Sequence, residues 1–359
     1  MLFVLIYTFC VFWLLIFAKY ERNIVLDVFC FLSVFLLLWF IPSLQYGVGT
    51  DYFNYIRIFD TPTDLDYYYR KHEYAFYYLV VFLNYLGFNS QSLFVSVGFI
   101  QVLLFLNFIR IAYPRYPYVH IALVFSFFFF VTNVFHNQLN VLRAYVAVLF
   151  FLNAYVYFIK GRSFLSILMI LIGFVWHKSI IFTFPLFLLR GKLGIFVVKN
   201  VKVVFFATLI LFGSGVLYQF IDIVVGAIAP MYKHYLNAER EKTVSLIQLA
   251  TRLYNYPFYL LFIYYLSKSD LNKLRRVDLG LIAAWVVTIN SALFVFYFGR
   301  FSRVFYFFAP FMFVPFYYLY VLNKKNLVYL ALVYTLFGYC LKVIAFPTAE
   351  YDYSSIIFN

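Results

Sequence analysis

Apolar runs of about 17–25 residues follow one another along the whole chain, broken by short polar turns. Runs of that length predict membrane-spanning helices, because about 20 residues rising 1.5 Å each cross about 30 Å of hydrocarbon. The spans fall at about 1–18, 24–41, 92–112, 119–135, 144–159, 163–177, 179–190, 201–226, 246–266, 277–298, 304–322 and 327–346. A further apolar stretch, about 74–88, is short and rich in Tyr. The short alternating segments of a membrane β-barrel are absent. The predicted fold is therefore all-α and polytopic, with about twelve transmembrane helices plus a re-entrant or interfacial helix over 74–88. It forms one integral membrane domain, 1–359, with an external loop region at 42–91.

Lys and Arg in the loops set the orientation, since cytoplasmic loops are enriched in both. The connections holding Lys19/Arg22, Arg110/Arg115, Lys160/Arg162, Arg190/Lys192/Lys199/Lys202, Lys268/Lys273/Arg275/Arg276 and Lys324/Lys325 are assigned to the cytoplasm. They alternate correctly only if 74–88 does not cross. Both ends of the sequence are then external. The outer side holds residues 42–91, the turn from His136 to Arg143, the turn at His177 and Lys178, residues 227–245, Arg300 to Arg303, and the tail from Pro347.

Composition agrees with this picture. Hydrophobic residues are 66% of the 359 positions and charged residues 12%, outside the range of soluble domains. The formal net charge of +14 is scattered between spans and forms no stripe, which argues against nucleic-acid binding. Cys10, Cys30 and Cys340 lie in apolar runs without metal-ligand spacing. The first run lacks a basic leader and a small-residue cleavage site, so it reads as a retained span.

Candidate chemistry gathers on the outer side. Asp51, Asp60, Asp64, Asp66 and Glu73 all fall in the first outer loop. That loop opens with Tyr46-Gly47-Val48-Gly49-Thr50-Asp51-Tyr52, where two glycines permit a tight turn that projects Asp51. Asp51 either meets a sugar hydroxyl or an Arg, or caps the helix that follows. No P-loop is present, because the Lys-Ser/Thr pair is missing. His136, Asn140 and Arg143 fall at i, i+4 and i+7, one face of a continuous helix. A guanidinium at a span end needs a partner or a wet cavity, and suits bidentate contact with phosphate. The alternative for Arg143 is snorkelling to lipid headgroups. His177, in Trp176-His177-Lys178-Ser179, has a side chain whose ordinary pKa suits a general base, or is a histidine hydrogen-bonded at the interface. His72, His120 and His234 share no spacing, and no pair of histidines forms a metal site. Arg300 and Arg303, at i and i+3, sit at an outer end where the charge bias disfavours them, and Arg252 lies just inside an outer-side span near Asn255. Tyr and Phe number 36 and 51, enough to supply both an interfacial belt and stacking surfaces for sugars such as Tyr67-Tyr68-Tyr69. This set suits a reaction on a lipid diphosphate without metal or cofactor, in which arginines stabilise the leaving phosphate and a His or carboxylate deprotonates an acceptor hydroxyl.

Gly49-Thr50-Asp51-Tyr52 after the second span, Arg143 heading a middle span, His177-Lys178-Ser179 before a short span, and Arg300/Arg303 late in the chain resemble the EpsG family, which contains Wzy-type polysaccharide polymerases. The resemblance covers most of the chain by order and spacing. The family's Arg is often followed by Gln, whereas Ala144 follows here. The resemblance implies an O-antigen or exopolysaccharide polymerase of the bacterial inner membrane, with a fold similar to the C-type glycosyltransferases. Its substrate would be an undecaprenyl-diphosphate-linked oligosaccharide, its site would face the periplasm, and a chain-length regulator would be a further partner. In that reading Arg143, Arg300 and Arg303 hold the diphosphate, with Tyr52, His136, Asn140 and Arg252 lining the substrate, and His177 or Asp51 activates the acceptor. A flippase for the same lipid-linked sugar would instead show inverted repeats and charges near the midplane, which the sequence lacks. An O-antigen ligase or an acyltransferase is a second rival; a ligase shares the donor chemistry.

Overall fold

A computed structural model gives the fold and describes residues 2–21, 23–114, 116–217, 219, 223, 250, 251, 253–294, 305–347 and 349–357. Among these residues every regular element is a helix, and the one β-type contact is an isolated antiparallel bridge between Gln45 and Ser355. Among the described residues, six helices are long and apolar enough to cross a membrane: Leu2–Lys19, Ile24–Ser43, Gln91–Ala112, Leu142–Ile159, Arg276–Leu293 and Lys325–Ala345. Two pairs broken by bends of 52° and 83° raise that number to eight. Within the described residues the twelve predicted spans therefore meet six to eight such helices. The predicted span at 163–177 is a 14-residue helix, Ser163–Trp176. The one at 179–190 is a 3-10 helix, Lys178–Leu189, with Pro185 inside it. Parts of 201–226, 246–266, 277–298 and 304–322 lie outside the described residues.

The chain divides into two compact units. The first comprises Met1–Phe184 and Leu332–Asn359. Its helices are α1 (Leu2–Ile16), α2 (Ile24–Ser43), α3 (Tyr52–Asp60), α4 (Pro62–Arg70), α5 (Tyr74–Tyr85), α6 (Gln91–Ala112), α7 (Tyr118–Val131), α8 (Val134–Asn140), α9 (Leu142–Ile159) and α10 (Ser163–Trp176). Asn23 starts α2 by accepting the Leu26 N–H at 2.9 Å, one of the donors a helix start leaves open. Helix α5, apolar but only 12 residues long, spans about 18 Å, less than the hydrocarbon thickness.

Helix α9 is the core. It is apolar on every side and packs against α6, α8 and α10, as a helix buried within a bundle must. Small residues allow the close approaches. A Cβ on Gly98 of α6 would lie 2.5 Å from Pro42 of α2, and one on Gly173 of α10 would lie 3.0 Å from Phe150 of α9. Polar side chains inside the bundle bond across helices: Gln101 donates to the Leu142 carbonyl at 3.1 Å, and Asn107 to Asn153 at 2.7 Å. These contacts fix α9, and hence Arg143 in its first turn, relative to α6 and α10.

The second unit, Pro185–Ala331, is built around Trp285, which is fully buried against Phe205, Tyr259 and Phe262. Arg275 donates to both oxygens of Asp278, at 2.9 and 2.7 Å, and Tyr318 adds its hydroxyl at 2.7 Å, so this buried carboxylate is satisfied from two elements. Lys268 donates to the Tyr264 hydroxyl at 2.6 Å, and the Lys324 ammonium lies 4.5 Å from the Tyr265 ring, so two connections assigned to the cytoplasm open at one end of this unit.

Candidate functional site

The site is built where α2 hands over to α3. Gly47 and Gly49 both take the left-handed conformation, with φ of 62° and 75°. At Gly49 a side chain is excluded twice, by that φ and by space, since a Cβ would meet Asn140 at 2.7 Å. Asn140 is in turn what holds the loop: its Oδ1 accepts the Asp51 N–H at 2.8 Å, with the Thr50 hydroxyl at 3.4 Å. The other end of the loop is tied to the tail. Tyr46 N–H donates to the Ser354 carbonyl, Ile356 N–H to that of Leu44, and the Tyr353 hydroxyl to that of Ile41. Asp51 immediately precedes α3, in the cap position, but its carboxylate makes no capping bond. Of its two readings, the structure takes the capping one away, and the side chain borders a cavity.

That cavity has a volume of about 500 Å³ and is lined by Asp51, Asn54, Tyr55, Tyr67, Tyr68 and Arg143, with the Arg57–Asp64 ion pair (2.9 Å) on its rim. Amide, hydroxyl and carboxylate groups alternate there with aromatic faces, a surface suited to a hydroxylated ligand. Arg57, Arg70 and Arg143 all border it, and Arg143 is the one drawn into the interior. The guanidinium pairs with Glu73 and lies over the Tyr68 ring at 4.2 Å and the Phe76 ring at 5.3 Å. Only 18% of the Arg143 side chain and 8% of that of Glu73 is exposed. Both charges have largely left solvent, which is tolerable because each has the other. Burial pushes the Tyr55 phenol above its ordinary pKa, opposed by the nearby guanidinium, and Tyr68 feels the same two influences. Both hydroxyls thus stay protonated at neutral pH as hydrogen-bond donors.

His177 reaches the same carboxylate from the end of α10. Its Nε2 stands 3.9 Å from Glu73 Oε1, and its Nδ1 accepts the Ser179 N–H at 3.3 Å. The structure therefore gathers Asp51, Asn140, Arg143 and His177, distant in sequence, around Glu73 and Tyr55. Glu73 was one loop acid among five, and nothing in the loop pattern singled it out. A signal was present: it immediately precedes the apolar stretch 74–88, where a carboxylate entering a nonpolar layer needs a partner.

Two sequence expectations are corrected. His136, Asn140 and Arg143 do not share one helical face, because the helix is interrupted at Val141 (φ −107°, ψ 61°), between α8 and α9. Their side chains diverge. His136 is fully buried, with Nε2 2.8 Å from the Tyr339 hydroxyl and ring centroids of Phe3 and Tyr351 each 4.4 Å away. Tyr52 is also interior, stacked on Phe94 at 4.7 Å with its hydroxyl 3.3 Å from Gln91 Oε1, so it anchors α3 to α6. Arg252, His234, Arg300 and Arg303 lie outside the described residues. His72 sits against Tyr74 and His120 against Tyr116. Among the described residues, no group of three or more His, Cys, Asp and Glu side chains is placed to hold a metal ion.

These features define a polytopic helical membrane protein with a polar, cation-bearing pocket at the end of its central helix. The chain belongs to the EpsG family, a family of Wzy-like polymerases, whose profile matches residues 28–355 and so nearly the whole sequence. No curated protein and no solved structure matches it.

Proposed function

We propose that this protein joins lipid-linked polysaccharide repeat units, moving a growing O-antigen or exopolysaccharide chain from undecaprenyl diphosphate onto a sugar hydroxyl of a second lipid-linked unit. Family membership supports a polymerase of repeat units. The observation that carries the rest is the pocket in which Arg143, buried on one side and open to the cavity on the other, faces Asp51 among hydroxyl-binding groups. In this reading the acceptor oxygen attacks the anomeric carbon of the donor sugar. The bond from that carbon to the diphosphate oxygen breaks, and its electron pair leaves with the diphosphate. Arg143 takes up the charge that develops there, a role the family resemblance extends to Arg300 and Arg303, and Asp51 receives the acceptor proton. Guanidinium groups carry that charge, so turnover is expected to persist in EDTA. Asn140 and Tyr52 keep the Asp51 loop in place; His136 belongs to the interior. The site opens to the periplasm of an inner-membrane protein with about twelve spans and a fold like the C-type glycosyltransferases, where a chain-length regulator has access to the product.

The decisive experiment is deletion of the gene in its host, followed by electrophoresis of the surface glycan. A polymerase predicts loss of the ladder with a single repeat unit remaining. Loss of all capped lipid would point to a flippase or a ligase and end this reading. Complementation with Arg143→Ala should slow chain growth by about 10²–10³-fold, the usual effect of removing one charge stabiliser.

A further inference from the structure

We infer that His177 is a positioning residue for the Arg143–Glu73 pair, with an N–H poised toward Glu73, and not the proton acceptor of the transfer. The inference rests on the polymerase reading and assigns the roles within that site. A backbone N–H can only donate, so the bond from Ser179 N–H engages the lone pair of His177 Nδ1. In the neutral ring the proton is then on Nε2, the nitrogen that faces Glu73 Oε1 at 3.9 Å. A second proton cannot settle on Nδ1 without breaking the Ser179 bond, and it would leave Nε2 a donor all the same. In either state His177 shows the carboxylate an N–H. A general base needs the opposite, an open lone pair aimed at the acceptor hydroxyl.

The placement of Glu73 gives that donor a purpose. The carboxylate is held by Arg143 from α9 and approached by His177 from the end of α10, with Tyr55 of α3 and Tyr68 of α4 close by and Asp51 beyond Tyr55. When Arg143 turns toward a phosphate, Glu73 loses its cation while still almost wholly buried. His177 Nε2–H, a short side-chain movement away, takes the carboxylate over. The histidine thus lets the arginine be shared between a resting partner and the substrate.

The test uses the full-length protein in membranes, with lipid-linked repeat units extracted from the deletion strain as substrate. The Gln amide at His177→Gln supplies an N–H near the Nε2 position and cannot accept a proton at neutral pH, whereas His177→Leu supplies neither. The expected result is that His177→Gln stays within about threefold of the parent with its acidic limb unmoved, while His177→Leu falls by about tenfold or more, mainly through a raised KM for the donor lipid. A base role predicts instead that both variants fall together by about 10²–10⁴-fold and lose that limb, which would overturn the inference. Equal, unimpaired activity of both would overturn it as well. Glu73→Gln supplies a second arm. If the two residues act through one contact, adding His177→Leu to Glu73→Gln costs nothing further, and additive losses would refute the contact. An inactive parent protein, by contrast, would refute the polymerase reading itself.

Discussion

Glu73 decides how Arg143 can be used. A guanidinium beneath two aromatic rings and mostly out of water is stable only with its carboxylate, so removing that carboxylate strands a buried charge. Glu73→Gln should therefore lower stability by about 3–5 kcal/mol, read as a fall in the thermal midpoint of the detergent-solubilised protein. Gly49 makes a different demand. Gly49→Ala forces an unfavourable φ, costing about 1–2 kcal/mol, and pushes on Asn140, so the fold should survive while Asp51 is displaced. The glycan ladder of a complemented strain should collapse although the protein reaches the membrane at normal levels. Much at this scale could be read in the sequence. The polar residues Asp51, Asn140, Arg143 and His177 stood out against apolar surroundings, and the fold gathers them. Glu73 did not stand out, because its significance comes from a contact 70 positions away in the chain, with Arg143.

At the scale of elements, hydropathy gave helix and apolarity but not continuity. It could not see the break at Val141, because Val, Leu and Asn on either side are as compatible with one helix as with two. The left-handed Asn133 that opens α8 was equally silent, although Asn is among the residues that adopt that conformation most readily. The break matters, since it turns His136 inward and leaves Asn140 and Arg143 to the site. Close helix packing was also hidden, because a glycine in an apolar run looks like any small residue. Gly98→Ala should drive α6 from Pro42 of α2, and overpacking of this kind costs about 1–3 kcal/mol. The expected readout is a lower folded yield and thermal midpoint, with the pocket chemistry retained in the protein that does fold.

For the whole molecule, membrane class and helical architecture were written in composition and run length, whereas span number was not. Among the described residues, helices such as Tyr256–Leu266 and Val201–Gly213 have the apolarity of a span in 11 and 13 residues, so apolar runs and long helices do not correspond one to one there. The charge bias makes a direct prediction about sidedness. In a protein freed of Cys10, Cys30 and Cys340, a cysteine at Lys268 should react only with a membrane-permeant maleimide. One at Thr63, beside the cavity, should react with an impermeant reagent on intact cells. The reverse pattern would place the pocket on the cytoplasmic face.

The tail bonds to Ile41, Leu44 and Tyr46 have a consequence in time. The Tyr353 hydroxyl meets the Ile41 carbonyl across 312 positions of chain. At ribosomal rates of about 5–20 residues per second, the Gly47–Asp51 loop waits on the order of 15–60 s for the tail segment that ties its first end. The emerging protein can insert its early helices and bring Asn140 to the loop, but the loop's first end is untied until residues 353–356 have been made. Chains that stop before Tyr353 would therefore lodge in the bilayer with the entrance of the loop untied.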